Sequence, residues 1–125
     1  MKNLKGKVVA LTGAASGIGR CLAIQLAEKG CILALADIDD NGLQETIKLL
    51  PLETQTSCHI VDVANKDAVY AWADNVIAEH NHVDVVINNA GVGSNESIDD
   101  ISYENFNWVF DIVFYGVLYG TKAFL

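Results

Sequence analysis

An α/β fold with a doubly wound parallel sheet is predicted by three features of this chain of 125 residues. Short apolar runs alternate with amphipathic stretches of helical period, the first run passes directly into a glycine-rich turn, and the second ends on a carboxylate. Strands that are apolar throughout, rather than at every second residue, are buried on both faces, as in a parallel sheet covered by helices on each side. Right-handed crossovers then order the strands 3-2-1-4 and put a ligand site at the carboxyl ends of strands 1 and 4, where the winding direction switches.

The first run, "KVVALT" (Lys7 to Thr12), is β-branched and reads as a strand. "GAASGIGR" turns into "CLAIQLAEKG", where Leu22, Ala23, Leu26 and Ala27 recur at helical spacing and Gly30 supplies the stop. "CILALAD" (Cys31 to Asp37) is a second strand ending on a carboxylate. In "DDNGLQETIKLL" the positions Leu43, Ile47 and Leu50 mark a helix halted by Pro51, with Asp39 and Asp40 placed to cap its start. "TSCHIVDV" is read as the third strand, and "NKDAVYAWADNVIAEH" as a helix capped by Asn65 with Val69, Trp72 and Val76 on one face. "VDVVIN" is the fourth strand, leading to "NAGVGS". From about Ser102 a last helix follows, in which Phe106, Val109, Phe110, Val113 and Val117 form an apolar stripe that packing accounts for.

The bulk numbers fit one globular domain: 51% apolar residues, 19% charged and a single proline. A formal charge of −8 argues against nucleic acid and anionic membranes, which need clustered Lys and Arg. No leader or membrane-spanning run is predicted. Cys21, Cys31 and Cys58 have no metal-ligand spacing and sit in apolar contexts, so buried reduced thiols and a cytoplasmic setting are expected. His59, His80 and His82 also lack partners at ligand spacing and are read as surface or strand-end residues, so no metal is expected.

The chemistry-bearing stretch is "TGAASGIG" (Thr12 to Gly19). Gly13 lets the chain turn off strand 1, Gly17 lets backbone approach a pyrophosphate and Gly19 permits close packing of helix on strand. Ala15, Ser16 and Ile18 complete the turn. The helix start offers unpaired N–H groups and a positive dipole end to phosphate, and Ser16 adds a hydroxyl. Asp37, 18 residues beyond Gly19, stands where a carboxylate reaches the adenosine ribose of NAD and repels the extra phosphate of NADP. Beside it, Ile38, Asp39 and Ser16 offer no cation, so NAD is favoured and NADP disfavoured.

"TGAASGIG", the Asp37 ending, "VDV" (Val61 to Val63) and "NNAG" (Asn88 to Gly91), in this order and spacing, resemble the short-chain dehydrogenase/reductase family along nearly the whole chain. The resemblance implies a Rossmann-type, NAD-binding domain over residues 1–125. It places Asp62 against the adenine ring with Val63 beside it, and lines the cofactor ribose with Asn89, Ala90 and Gly91. The implied reaction is hydride transfer between nicotinamide and a small alcohol or carbonyl substrate. A tyrosine acts as acid/base, assisted by a lysine in a Tyr-x-x-x-Lys pair and by a serine. No such set follows "NNAG": Tyr119 and Lys122 are three apart rather than four and read as surface residues of the last helix, so no catalytic residue is assigned in this chain. The chain is therefore expected to be the N-terminal part of a truncated oxidoreductase, ending inside its fourth helix. The alternative is a dinucleotide-binding fragment or interaction module without turnover. In the family this helix, beginning near Ser102, packs against its counterpart in a second subunit, which implies a homo-oligomer. Val113 stands where the family usually reads an asparagine that bends the helix and holds a water linked to the catalytic lysine.

Overall fold

In the computed structural model, which describes residues 3–125, the apolar runs pair as a four-stranded parallel sheet. The strands are β1 (Val8–Thr12), β2 (Ile32–Asp37), β3 (Thr56–Ile60) and β4 (Val85–Ile87), in the spatial order β3-β2-β1-β4. Every residue of β1 pairs with β2, from Val8 opposite Ile32 to Thr12 opposite Ala36, and β4 lies along the other side of β1. The helices α1 (Gly17–Glu28) and α2 (Asp40–Lys48) pack on one face of the sheet and α3 (Lys66–His80) on the other, followed by α4 (Tyr103–Phe110), which buries no residue, and α5 (Gly116–Ala123), which joins the face of α3.

Side-chain size decides which helix takes which face. Val9, Leu11, Leu33 and Leu35 point to one side and meet Ala23 and Ala27 of α1 and Leu43 of α2. Large residues on the sheet here face small ones on the nearest helix. On the other side the pattern is reversed: Ala10, Ala34 and Ala36 leave room for Val69, Trp72 and Val76 of α3, with Phe124 edge-on to Trp72 at 4.9 Å. Each fully buried Leu or Val contributes about 1.5–3 kcal/mol relative to exposure. Local caps agree with the expected starts. Asp39 accepts from Gly42 N at 3.0 Å, Asn65 from Ala68 N at 3.0 Å and Ser102 from Asn105 N at 3.1 Å.

The structure departs from the sequence reading at several points. The second strand begins at Ile32, because the Cys31 amide still bonds back to Leu26 O at the end of α1. The third ends at Ile60, where the chain crosses the carboxyl end of β2 and Val61 N bonds to Asp37 O, so "VDV" is a strand exit. α2 ends at Lys48, ahead of the predicted stop. Cys21 is exposed, since it sits on the outer side of α1, whereas Cys31 is buried and Cys58 half-buried. His80 is buried, not superficial: its Nε2 lies 2.8 Å from the Ser57 hydroxyl, which is also 3.0 Å from His59 Nε2. The last helix is not one α-helix, because a π-helical segment, Asp111–Tyr115, separates α4 from α5. The expected apolar stripe faces outward, with Phe106, Phe110, Val113 and Val117 all exposed. The face that meets the sheet has small residues instead. A Cβ on Gly116 would lie 2.9 Å from Val63 Cγ2, and one on Gly120 would overlap Asn88 Oδ1.

Candidate functional site

The carboxyl ends of β1, β2 and β4 converge on a cleft of about 490 Å³, at the switch point of the sheet. The turn after β1 forms its floor. Gly13 has φ +70° and Gly17 φ +54°, left-handed values that other residues rarely adopt. Gly13 also sits against the chain leaving β4, since a Cβ there would be 2.9 Å from Ala90 Cα. A Cβ on Gly19 would overlap the Gly13 carbonyl oxygen, so the first turn of α1 closes tightly over the turn that precedes it. Thr12 fastens the two strand ends together: its hydroxyl accepts from the amides of Asn89 and Ala90, both at 3.0 Å. Asn89 returns a bond from Nδ2 to Gly13 O at 3.3 Å.

The residues predicted from sequence separate into two groups. Gly13, Ser16, Gly17 and Ile18 line the cleft at the helix start, Asp37 and Ile38 at the end of β2, Asp62 and Val63 beyond β3, and Asn89, Ala90 and Gly91 beyond β4. Ala15 and Gly19 do not line it: both are buried behind the turn and shape it from within. Ser16 is the N-cap of α1, yet its side chain makes no capping bond, so the hydroxyl and the first-turn amides face the cleft without a protein partner. Asp37 accepts from Ala15 N at 3.0 Å through one carboxylate oxygen and from Asp39 N at 3.1 Å through the other. A carboxylate has about four acceptor positions, so two remain for a ligand. Asp62 Oδ1 accepts from Ala64 N at 3.0 Å, which turns the chain out of β3. Asp37 and Asp62 are the charged residues lining the cleft, and no Lys or Arg does.

Sequence reasoning missed four lining residues. Val61 opens the "VDV" motif without having been given a role, Val92 follows Gly91, and Trp108 and Ile112 lie four apart on the last helical stretch, spacing that puts both on one face. Tyr119 is half-buried against the cluster around Trp72, while Lys122 is exposed, so the two do not form a working pair. No group of three or more His, Cys, Asp or Glu among the described residues is arranged to hold a metal ion.

A glycine turn between strand and helix, a carboxylate closing the next strand and an Asn-Ala-Gly exit from the fourth form the frame of a dinucleotide site. Residues 7–125 match the family model described as short chain dehydrogenase. The chain belongs to this family. It is 44% identical over 126 residues to SadH of Mycobacterium tuberculosis, provisionally described as an oxidoreductase, covering 100% of this chain and 46% of that protein. Human epidermal retinol dehydrogenase 2 is 40% identical over 126 residues, covering 99% and 41%. Among solved structures, a short-chain dehydrogenase/reductase from Burkholderia phymatum in complex with NAD superposes with a TM-score of 0.94 at 35% identity, covering 99% of this chain and 44% of that one. The chain thus spans less than half the length of each of these three proteins. No helix among its described residues is long and apolar enough to cross a membrane.

Proposed function

We propose that the cleft binds NAD, and that the chain is the cofactor-holding part of an oxidoreductase moving hydride between nicotinamide and an alcohol or carbonyl carbon. The carrying observation is the placement of Asp37: half-buried at the end of β2, with acceptor positions to spare, facing a cleft that no Lys or Arg lines. The free first-turn amides of α1 suit the pyrophosphate, and Ile38 and Val63 offer apolar walls to the adenine. When bound, the nicotinamide supplies the hydride; these residues bind and orient it. Gly17 and Ser16 hold the phosphates, Asp37 the ribose, and Asn89, Ala90 and Gly91 the nicotinamide half. NADP fits poorly, because a 2′-phosphate would meet Asp37 with no cation to neutralise it.

A dinucleotide-binding module without turnover is the second reading, favoured by the separation of Tyr119 from Lys122. The setting is cytoplasmic, in keeping with free thiols on an acidic chain. A homo-oligomer forms through α4 and its continuation, where Phe106, Phe110 and Phe114 stack in an outward row with centroids 6.2 and 4.9 Å apart. The substrate is a small alcohol or carbonyl compound. Trp108 lines the cleft, so titration with NADH should quench its fluorescence and excite the reduced nicotinamide. A protein that shows no saturable response to NADH up to millimolar concentration refutes the proposal, and turnover of a secondary alcohol by the 125-residue chain alone would eliminate the second reading.

A further inference from the structure

The middle of the glycine-rich turn is held by Asp37 at the rim of the cleft and, from behind, by Ala36, Thr46 and Arg20, which do not line it. All four backbone polar groups of Ala14 and Ala15 are taken. Ala14 N donates to Ala36 O at 3.3 Å and Ala15 N to Asp37 at 3.0 Å. Ala14 O accepts from the Thr46 hydroxyl at 2.7 Å, and Ala15 O from Arg20 Nη2 at 2.5 Å. The same guanidinium donates from Nε to the Thr46 oxygen at 3.0 Å and from Nη2 to Gly42 O at 3.2 Å. A hydroxyl donates once, so the shorter contact to Ala14 O is the one Thr46 makes while accepting from Arg20. α2 presses on the turn at the same place: a Cβ on Gly42 would lie 2.7 Å from Ala15 Cβ.

Arg20 is half-buried, forms no ion pair among the described residues and does not line the cleft. Its charge is spent on neutral carbonyls. The Ala14 and Ala15 carbonyls, held by Thr46 and Arg20, would repel a pyrophosphate if the turn rotated them toward the helix start. We infer that Arg20 and Thr46 are positioning residues for the dinucleotide, pinning the Ala14 and Ala15 carbonyls away from the cleft so that only N–H groups face the phosphates. The inference rests on the dinucleotide reading of the cleft and extends it to two residues outside it. It also couples α2 to the phosphate site.

The test compares NADH, ADP and adenosine, by fluorescence titration and competition, on the wild type and on Arg20→Met, Arg20→Lys, Thr46→Val and Thr46→Ser. Loss of one such hydrogen bond should weaken the two pyrophosphate ligands about tenfold in Arg20→Met and Thr46→Val, leaving adenosine within about twofold. Arg20→Lys and Thr46→Ser, which keep a donor, should recover most of the loss. A purely structural role would weaken all three ligands alike, and that result overturns the inference, as does unchanged ADP binding in either folded variant. Should Arg20→Met not fold, the Thr46 pair decides by the same criterion. A wild type that binds none of the three ligands refutes the cofactor reading and the inference together, whereas a wild type that binds all three with variants indifferent between them refutes the inference alone.

Discussion

Replacing Asp37 by Asn removes a charge and one acceptor while keeping the shape. The effect on cofactor choice follows from Coulomb's law. Two unit charges 4 to 6 Å apart interact by about 3–4 kcal/mol at an effective dielectric near 20, and by about 1 kcal/mol in bulk water. Asp37 is half-buried at the rim of an open cleft, nearer the bulk-water limit, so a repulsion of about 1 kcal/mol per unit charge, or about 2 kcal/mol from a 2′-phosphate carrying nearly two charges, is appropriate. That corresponds to about thirtyfold in binding. NADH should therefore bind the wild type about thirtyfold more tightly than NADPH, and Asp37→Asn should bring the ratio to about threefold or less.

The structure adds a complication that the experiment can separate. Asp37 also bonds to Ala15 N and Asp39 N, and an amide oxygen can keep one of these bonds but not both at the same geometry. NADH binding should then weaken as well, by about fivefold for one lost backbone bond. Asp39→Asn is the control, because Asp39 caps α2 and does not line the cleft. Fluorescence titration of the three proteins with both cofactors decides. Equal affinity of the wild type for NADH and NADPH, or an unchanged ratio in Asp37→Asn, or an equal collapse in Asp39→Asn, would refute the electrostatic reasoning.

Gly19→Ala places a methyl group on the Gly13 carbonyl, backbone against backbone, and should cost about 3 kcal/mol or more by denaturant unfolding while abolishing NADH binding. Gly120→Val should unseat α5 from Asn88 and expose the indole of Trp72, seen as a red shift in emission. Acid should destabilise the fold through His59, whose pKa is held below its ordinary 6.5 chiefly by burial, against the smaller opposing pull of Glu79 and with a still smaller push from His80. The unfolded chain takes this proton near pH 6.5 and the folded chain only at lower pH, so stability is complete above 6.5 and is lost as pH falls through the folded value. Urea midpoints should drop as the pH is taken below 6.5, and His59→Gln should flatten that slope.

The strands and the glycine turn were legible because their signals are local. A continuous apolar run has few structural alternatives, and a turn that needs left-handed φ at Gly13 and Gly17 announces itself by composition. Features set by distant partners were not legible. His80 looks like a helix-end surface residue until Ser57, 23 residues earlier, supplies the hydroxyl that makes its burial affordable. Cys21 shares its apolar surroundings with Leu22, and only the phase of α1 sends one outward and the other to the core. The aromatic row misled for a related reason. Hydrophobicity alone marks the aromatic row as the packed face of the last helix, but close approach to the strand exits demands small residues, and Gly116 and Gly120 take that face.

The π-helical segment follows from the same demand. Trp108 and Ile112 must face the cleft, and Gly116 and Gly120 must face Val63 and Asn88, which puts residues at a strict spacing of four on one side. At 3.6 residues per turn, an unbroken α-helix would rotate Gly120 about 120° away from Trp108. The five residues Asp111–Tyr115, wound at about 4.4 per turn, take back about 90° of that drift and leave about 30°. The segment is therefore a phase correction, and it predicts an asymmetry between two deletions of similarly exposed residues. Removing Val113 lets the stretch relax to plain α-helix, with Gly120 still within about 20° of Trp108, so the melting temperature should fall by only a few degrees. Removing Leu118 instead rotates Gly120 by about 100° relative to Gly116, driving a larger side chain into Asn88 and stripping Phe124 from Trp72. That variant should lose most of its cooperative unfolding. Equal melting temperatures for the two deletions, or a greater loss on removing Val113, would show that the π turn is held by something other than helix phase.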